Sequence, residues 1–156
     1  MVNVSKISDH EAPAAVVDAL QTTLADTYVL YAKTHSFHWN VEGMQFYMLH
    51  NLFEEHYRNM WEALDEIAER IRALGVYAPA NTTELAKGAA LKEETSIPSA
   101  KDMIHILAKD HEKIASTLAE CVETAQEAGD EVTADMFLQR QSWHEEAHWM
   151  LKSLTK

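Results

Sequence analysis

Two histidines and three carboxylates, His38, His50, Glu54, Asp65 and Glu69, follow one another at intervals of 12, 4, 11 and 4 residues. Imidazole nitrogen and carboxylate oxygen together suit Fe(II), and hard carboxylates also hold Fe(III) and bridge two irons. No thiolate stands among them, which argues against a closed structural zinc site. With coordination positions left open, such a set admits dioxygen or peroxide to ferrous iron, the metal itself supplying the electrons. The plain alternatives are a solvated acidic face for Asp65 and Glu69 and a hydrogen-bonded core histidine for His50, near Trp39 and Phe53. The matched spacing of all five weighs against both.

Position on a helix decides how these groups can meet. His50 and Glu54 lie one turn apart on one face, as do Asp65 and Glu69. Eleven residues bring Asp65 back to the same angle as Glu54 but about 16 Å along the axis, too far to share a metal. One chain therefore carries two half-sites. The pairs His50/Glu69 and Glu54/Asp65 share a midpoint between residues 59 and 60. An antiparallel mate crossing there sets His50 against Glu69 and Glu54 against Asp65. Two-fold interfaces are self-complementary, so one dimer completes two identical sites. His38 stands just ahead of a break at 40–43 and can be returned beside His50.

The elements that must hold these groups are helices. Val16, Leu20, Leu24, Tyr28 and Tyr31 recur every three or four residues, a helical period. Pro13, with Asp9 as a possible cap, opens that first helix, and Asn-Val-Glu-Gly at 40–43 ends it. A second helix is predicted over 44–74, with Leu49, Leu52, Phe53, Tyr57, Met60, Leu64, Ile67 and Ile71 apolar and Gly75 as its stop. A short helix is expected near 83–91. A third long helix is predicted over 99–128, through Met103, Ile106, Leu107, Ile114 and Leu118, and a fourth over 132–154. The fold expected is all-α: a ferritin-like four-helix bundle with a short extra helix in the crossover between helices two and three. It forms a single domain, 1–156, with 1–11 as a flexible tail.

Composition bounds the partners. The 156 residues carry 13 Lys+Arg against 25 Asp+Glu, a formal charge of −12, and 47% are hydrophobic. That is enough to bury a core in one domain. The acidic balance argues against a general nucleic-acid surface, which needs clustered lysine and arginine. The single cysteine, Cys121, rules out an intrachain disulfide scaffold and points to a reducing compartment. No apolar run approaches a membrane span, so no membrane partner is expected. The opening MVNVSKISDHE lacks the basic start and apolar block of a signal peptide. The expected location is the cytoplasm, or the nucleoid if DNA is bound.

With HWNVEG at 38–43, then His50, then LDEIAERIRALG at 64–75, and with GDEVTADM at 129–136, the chain resembles the Dps family of miniature ferritins over about residues 12–154. The resemblance implies a hollow dodecamer that oxidises Fe(II) to Fe(III), with hydrogen peroxide or dioxygen, and stores ferric mineral. It implies a ferroxidase whose His38, His50 and Glu54 come from one chain and whose Asp65 and Glu69 come from the mate. Trp39 matches a tryptophan beside the site. Asp130 and Asp135 resemble acids that line a three-fold entry channel, although Asp130 is also well placed to cap the fourth helix. The expected cargo is Fe(2+)/Fe(3+), with zinc or another divalent metal able to occupy the purified protein. Glu54 departs from the family's usual Asp. The family's lysine-rich tail is also missing: Lys6 stands with Asp9, Glu11 and Asp18. Direct DNA binding is not expected at neutral pH, and the alternative function is a DNA-compacting protein of the same fold with an incidental metal site.

A competing site lies within one bundle. Glu145 and His148, with His144 a turn earlier, and Asp102 and His105 resemble half of an intrabundle di-iron set. The first helix has no glutamate between Ala12 and His38, so that set is incomplete. These histidines are assigned to subunit contacts, the surface or an auxiliary metal patch, and His35 to a contact near Trp39. His10, His56 and His111 show no specific signal. Trp61, Trp143 and Trp149 are expected in core or interface, and Met103, Met150 and Cys121 in the core.

Overall fold

Pro13, which has no amide hydrogen to leave unpaired, precedes the first helix, α1, Ala14–Asn40. The computed structural model describes residues 12–156, so the proposed Asp9 cap and the 1–11 tail lie outside the described residues. The remaining helices are α2, Phe46–Ala73; α3, Thr82–Gly88; α4, Ala100–Glu127; and α5, Glu131–Ser153. α1 packs on α2 and α4, α4 packs on α5, and α3 lies against α1. This is the expected bundle of four long helices with a short helix in the crossover, and the predicted bounds fall within a few residues of those observed.

Each long helix sends one residue inward every three or four positions. In α2 the buried line is Leu49, Phe53, His56, Met60, Ala63, Ile67 and Ile71. In α4 it includes Leu107, His111, Ile114, Leu118 and Ala125, and in α5 Thr133, Phe137, Arg140, His144, Ala147 and Leu151. Burying one large apolar side chain stabilises the fold by about 1.5–3 kcal/mol. Phe37, Phe53 and Phe137 head the fully buried set. Met103 and Cys121 are core residues as expected, Trp143 packs partly buried on the core, and Met150 is only half-buried. Trp61 and Trp149 are exposed.

The helix ends are defined by local chemistry. Gly75 (φ 85°) and Gly129 (φ 73°) follow α2 and α4 in the left-handed region that a side chain disfavours. The amides of Val76 and Asp130 then reach back to the carbonyls of Ile71 and Ala125. Ser99 caps α4 by accepting from the Asp102 amide, and Asp130 caps α5 by accepting from the Thr133 amide. The crossover is pinned from inside. Buried Asp26 accepts from the amides of Ala90 and Leu91 at 2.7 and 2.9 Å, and buried Lys33 pairs with Asp110 at 2.6 Å. Among the described residues no helix is long and apolar enough to cross a membrane.

Candidate metal centre

α1 ends at Asn40, and the five-residue connection 41–45 turns the chain so that His38 meets His50 in the second turn of α2. The two imidazoles stack, with centroids 3.8 Å apart and planes 17° from parallel. Nδ1–H of His38 donates to the His50 carbonyl at 2.7 Å, and Nδ1–H of His50 donates to the His38 carbonyl at 2.8 Å. A carbonyl can only accept, so both rings donate from Nδ1 and Nε2 is the nitrogen left for a ligand. Fixing a ligand ring through its second nitrogen is the usual support of a metal-binding histidine.

Glu54, one turn beyond His50, completes a group whose ligand atoms lie within 4.8 Å of one another. His38 is buried, and His50 and Glu54 are half-buried. Oε1 of Glu54 accepts from Arg58 Nε at 2.8 Å and pairs with Nη2 at 2.7 Å. That hydrogen bond, with the Arg58 charge, holds the Glu54 carboxyl below the usual carboxylate range, and His38 and His50 act in the same direction. Two imidazole nitrogens and one carboxylate suit a divalent ion and leave coordination positions for further ligands.

Of the five sequence-predicted ligands, one chain brings together His38, His50 and Glu54. Asp65 and Glu69 are exposed farther along α2 and do not join the group. Trp39 is exposed and packs on His35 at 4.3 Å. His35 also stacks on Tyr57 at 3.9 Å, and Tyr57 stands 5.2 Å from His38. Met44 of the connection and Phe46, Tyr47 and Met48 at the start of α2 are exposed, and Phe46 lies 5.0 Å from His50.

Asp130 does more than cap. It also pairs with Arg70 of α2 at 2.8 Å. Burial raises its carboxyl, but the Thr133 hydrogen bonds and Arg70 outweigh this and leave it below the ordinary range. Asp135 is exposed and accepts from Gln139 at 2.7 Å.

The histidines of α2, α4 and α5 divide by burial. His144, assigned from sequence to a contact, the surface or an auxiliary patch together with His148, is almost wholly buried inside the bundle, and so are His56 and His111. His148 is half-buried and donates Nδ1–H to the Ala108 carbonyl, while Asp102, His105 and Glu145 are exposed. The signal for burial was present. His56, His111, Arg140 and His144 each fall on the three-and-four register of the apolar positions around them. From sequence, His56 and His111 have no specific role and Arg140 is not singled out.

A family model described as ferritin-like domain matches residues 17–156. DNA protection during starvation protein 2 of Bacillus anthracis is 37% identical over 138 residues, covering 88% of this chain and 94% of its own length. The crystal structure of Dps from Staphylococcus aureus superposes with a TM-score of 0.88 at 38% identity, over 90% of this chain and 95% of that one. A Dps protein from Vibrio cholerae O1, described as a member of a broad superfamily of ferritin-like diiron-carboxylate proteins, gives 0.86 at 30% identity, over 90% and 89%.

Proposed function

Because the chain belongs to the Dps family of ferritin-like proteins, we propose that it is a ferroxidase that takes Fe(II) as substrate at sites shared by two-fold-related subunits and stores the ferric product inside a dodecameric shell. The observation that carries this reading is the crossed pair of His38 and His50 with Glu54 beside them. The two Nε2 atoms and the carboxylate hold the ion, with His50 and Glu54 only half-buried. Exposed Asp65 and Glu69 of the partner subunit supply the remaining carboxylates. The uncovered apolar side chains Trp39, Met44, Phe46, Tyr47 and Trp61 support an interface across this face, since large contiguous apolar patches mark contact surfaces.

The chemistry balances simply. Two ferrous ions give up one electron each, and one peroxide takes both electrons with two protons and leaves as two waters. Charged Glu54 and the partner's Asp65 and Glu69 favour the ferric product over the ferrous substrate, because hard carboxylates hold Fe(III) better. Exposed Asp135 draws cations toward the shell through its charge, while Asp130, its companion in the proposed channel, has its charge engaged by Arg70. With −12 formal charges per chain, protection of DNA proceeds by removing iron and peroxide rather than by coating the duplex.

Crystals soaked anaerobically in Fe(II), with anomalous scattering recorded at the iron edge, test the proposal. Density bounded by His38, His50 and Glu54 of one chain and Asp65 and Glu69 of its mate is expected. Iron held within a single bundle, with both histidines bare, overturns it.

A further inference from the structure

The interior of the bundle holds a second group of nitrogen donors, remote in character from the interface site. His111 of α4 and His144 of α5 are fully buried, with their Nδ1 atoms 2.9 Å apart. His56 of α2 meets His111 edge-on, with ring centroids at 5.5 Å, and Trp143 packs within 5.6 Å of all three rings. Arg140 lies over Trp143 at 4.7 Å and spends Nη1 on Asn59. Among the described residues five buried side-chain polar atoms lack a partner. Four belong to this group: His56 Nδ1, His111 Nε2, Arg140 Nε and Arg140 Nη2. Leaving a buried polar atom unpaired costs about 1–3 kcal/mol; the two Arg140 N–H groups call for an acceptor, whereas His56 Nδ1 is an imidazole nitrogen able to turn toward a cation shared with the His111–His144 pair.

We infer that His111 and His144, with His56 as a third donor, form an all-imidazole site inside each bundle for a late transition metal ion, copper(I) or zinc(II), separate from the iron centre between subunits. Two imidazole nitrogens approach to 2.9 Å in one of two ways. One donates a proton to the other, or both lone pairs address a common cation. Metal–nitrogen bonds of about 2.0–2.1 Å in a tetrahedral site put two ligands about 3.3 Å apart, so a few tenths of an ångström of ring movement converts the first arrangement to the second. His56 must turn to present its unpaired Nδ1. Burial keeps His111 and His144 neutral, the state in which imidazole has a lone pair to give. No carboxylate joins the group, which selects against hard iron and for copper or zinc. Arg140, still a cation with its pKa pushed down to about 10 by burial, repels a dication more than a monocation and so favours copper(I).

The test uses the assembled protein carrying His50→Ala, which removes the interface site. Protein from zinc- or copper-supplemented medium is dialysed against a competing chelator and its metal is counted by mass spectrometry. About one retained ion per chain is expected, falling at least tenfold in His50→Ala/His111→Leu/His144→Leu, with assembly size and helicity checked. In parallel, wild-type crystals soaked in zinc are recorded at the zinc edge, which needs no variant to fold. A peak between His111 and His144 supports the site. Peaks at the interface alone, or retention that survives loss of both histidines, overturn it.

Discussion

His38 and His50 each donate Nδ1–H to the main-chain carbonyl of the other, at 2.7 and 2.8 Å. The arrangement joins the last turn of α1 to the second turn of α2 and aims both Nε2 lone pairs without help from any third residue. Each residue therefore offers a ring nitrogen to the proposed metal and, through its main-chain carbonyl, holds the other ring. His50→Ala should lower zinc affinity, read by calorimetry, by more than the roughly 10–100-fold typical of losing a supporting hydrogen bond alone. It should also abolish peroxide-driven Fe(II) oxidation. In a double-mutant cycle, His38→Ala on top should cost far less than His38→Ala in the wild type.

The proposed sharing of the site between subunits has a complementation test. Assemblies of His50→Ala chains alone or Asp65→Ala chains alone should be inactive. When the two are mixed equally and reassembled, half of the pairs are mixed, and one of the two sites in each mixed pair is intact. About a quarter of wild-type Fe(II) oxidation should return, from the self-complementary symmetry of the pair. A site contained in one chain would return none.

Arg58 competes with metal for Glu54, whose Oε1 it engages through both Nε and Nη2. Arg58→Ala removes a cation beside the site and frees that oxygen. Zinc affinity should rise several-fold, and the Glu54 pKa, followed by NMR, should climb toward the ordinary carboxylate value.

The buried histidines make the bundle sensitive to acid. Burial holds His56 at about 4, against 6.5 when exposed, and lowers His111 and His144 as well. Below pH 6.5 the unfolded chain takes up protons that the folded chain refuses. Stability is thus fully present above pH 6.5 and is lost as pH falls from there toward 4. The slope is about 1.4 kcal/mol per pH unit for each such histidine, so His56 alone removes about 3 kcal/mol. Urea midpoints measured from pH 7 to 4.5 should fall steeply, and His56→Leu should flatten the curve by one proton.

Asp130 and Asp135 should separate by readout. Asp130→Ala loses the α5 cap and the Arg70 pair and should cost about 1–2 kcal/mol in stability. Asp135→Ala, on an exposed side chain, should leave the melting temperature unchanged and slow Fe(II) entry in stopped-flow uptake.

The spacing of His50 and Glu54 is local, set by one turn of a helix, and so it was legible in the amino-acid order, as were the four long helices and their glycine stops. The turn at 41–45 is short enough that the meeting of His38 with His50 could also be anticipated. Other facts depended on the folded chain. Asp26 was unremarkable on α1, yet it binds the amides of Ala90 and Leu91, more than sixty residues away. Arg58, four residues beyond Glu54 on one face of α2, makes an i,i+4 pair that the spacing allowed but the ligand set alone did not bring out. The burial of His56, His111 and His144 shows the limit most plainly. Their register put them on the inner face of each helix, but whether three polar rings could be enclosed depended on three helices presenting them at one level, where they could meet one another and Trp143. A periodic pattern fixes the face a side chain takes; what it meets there is decided only when the other helices arrive.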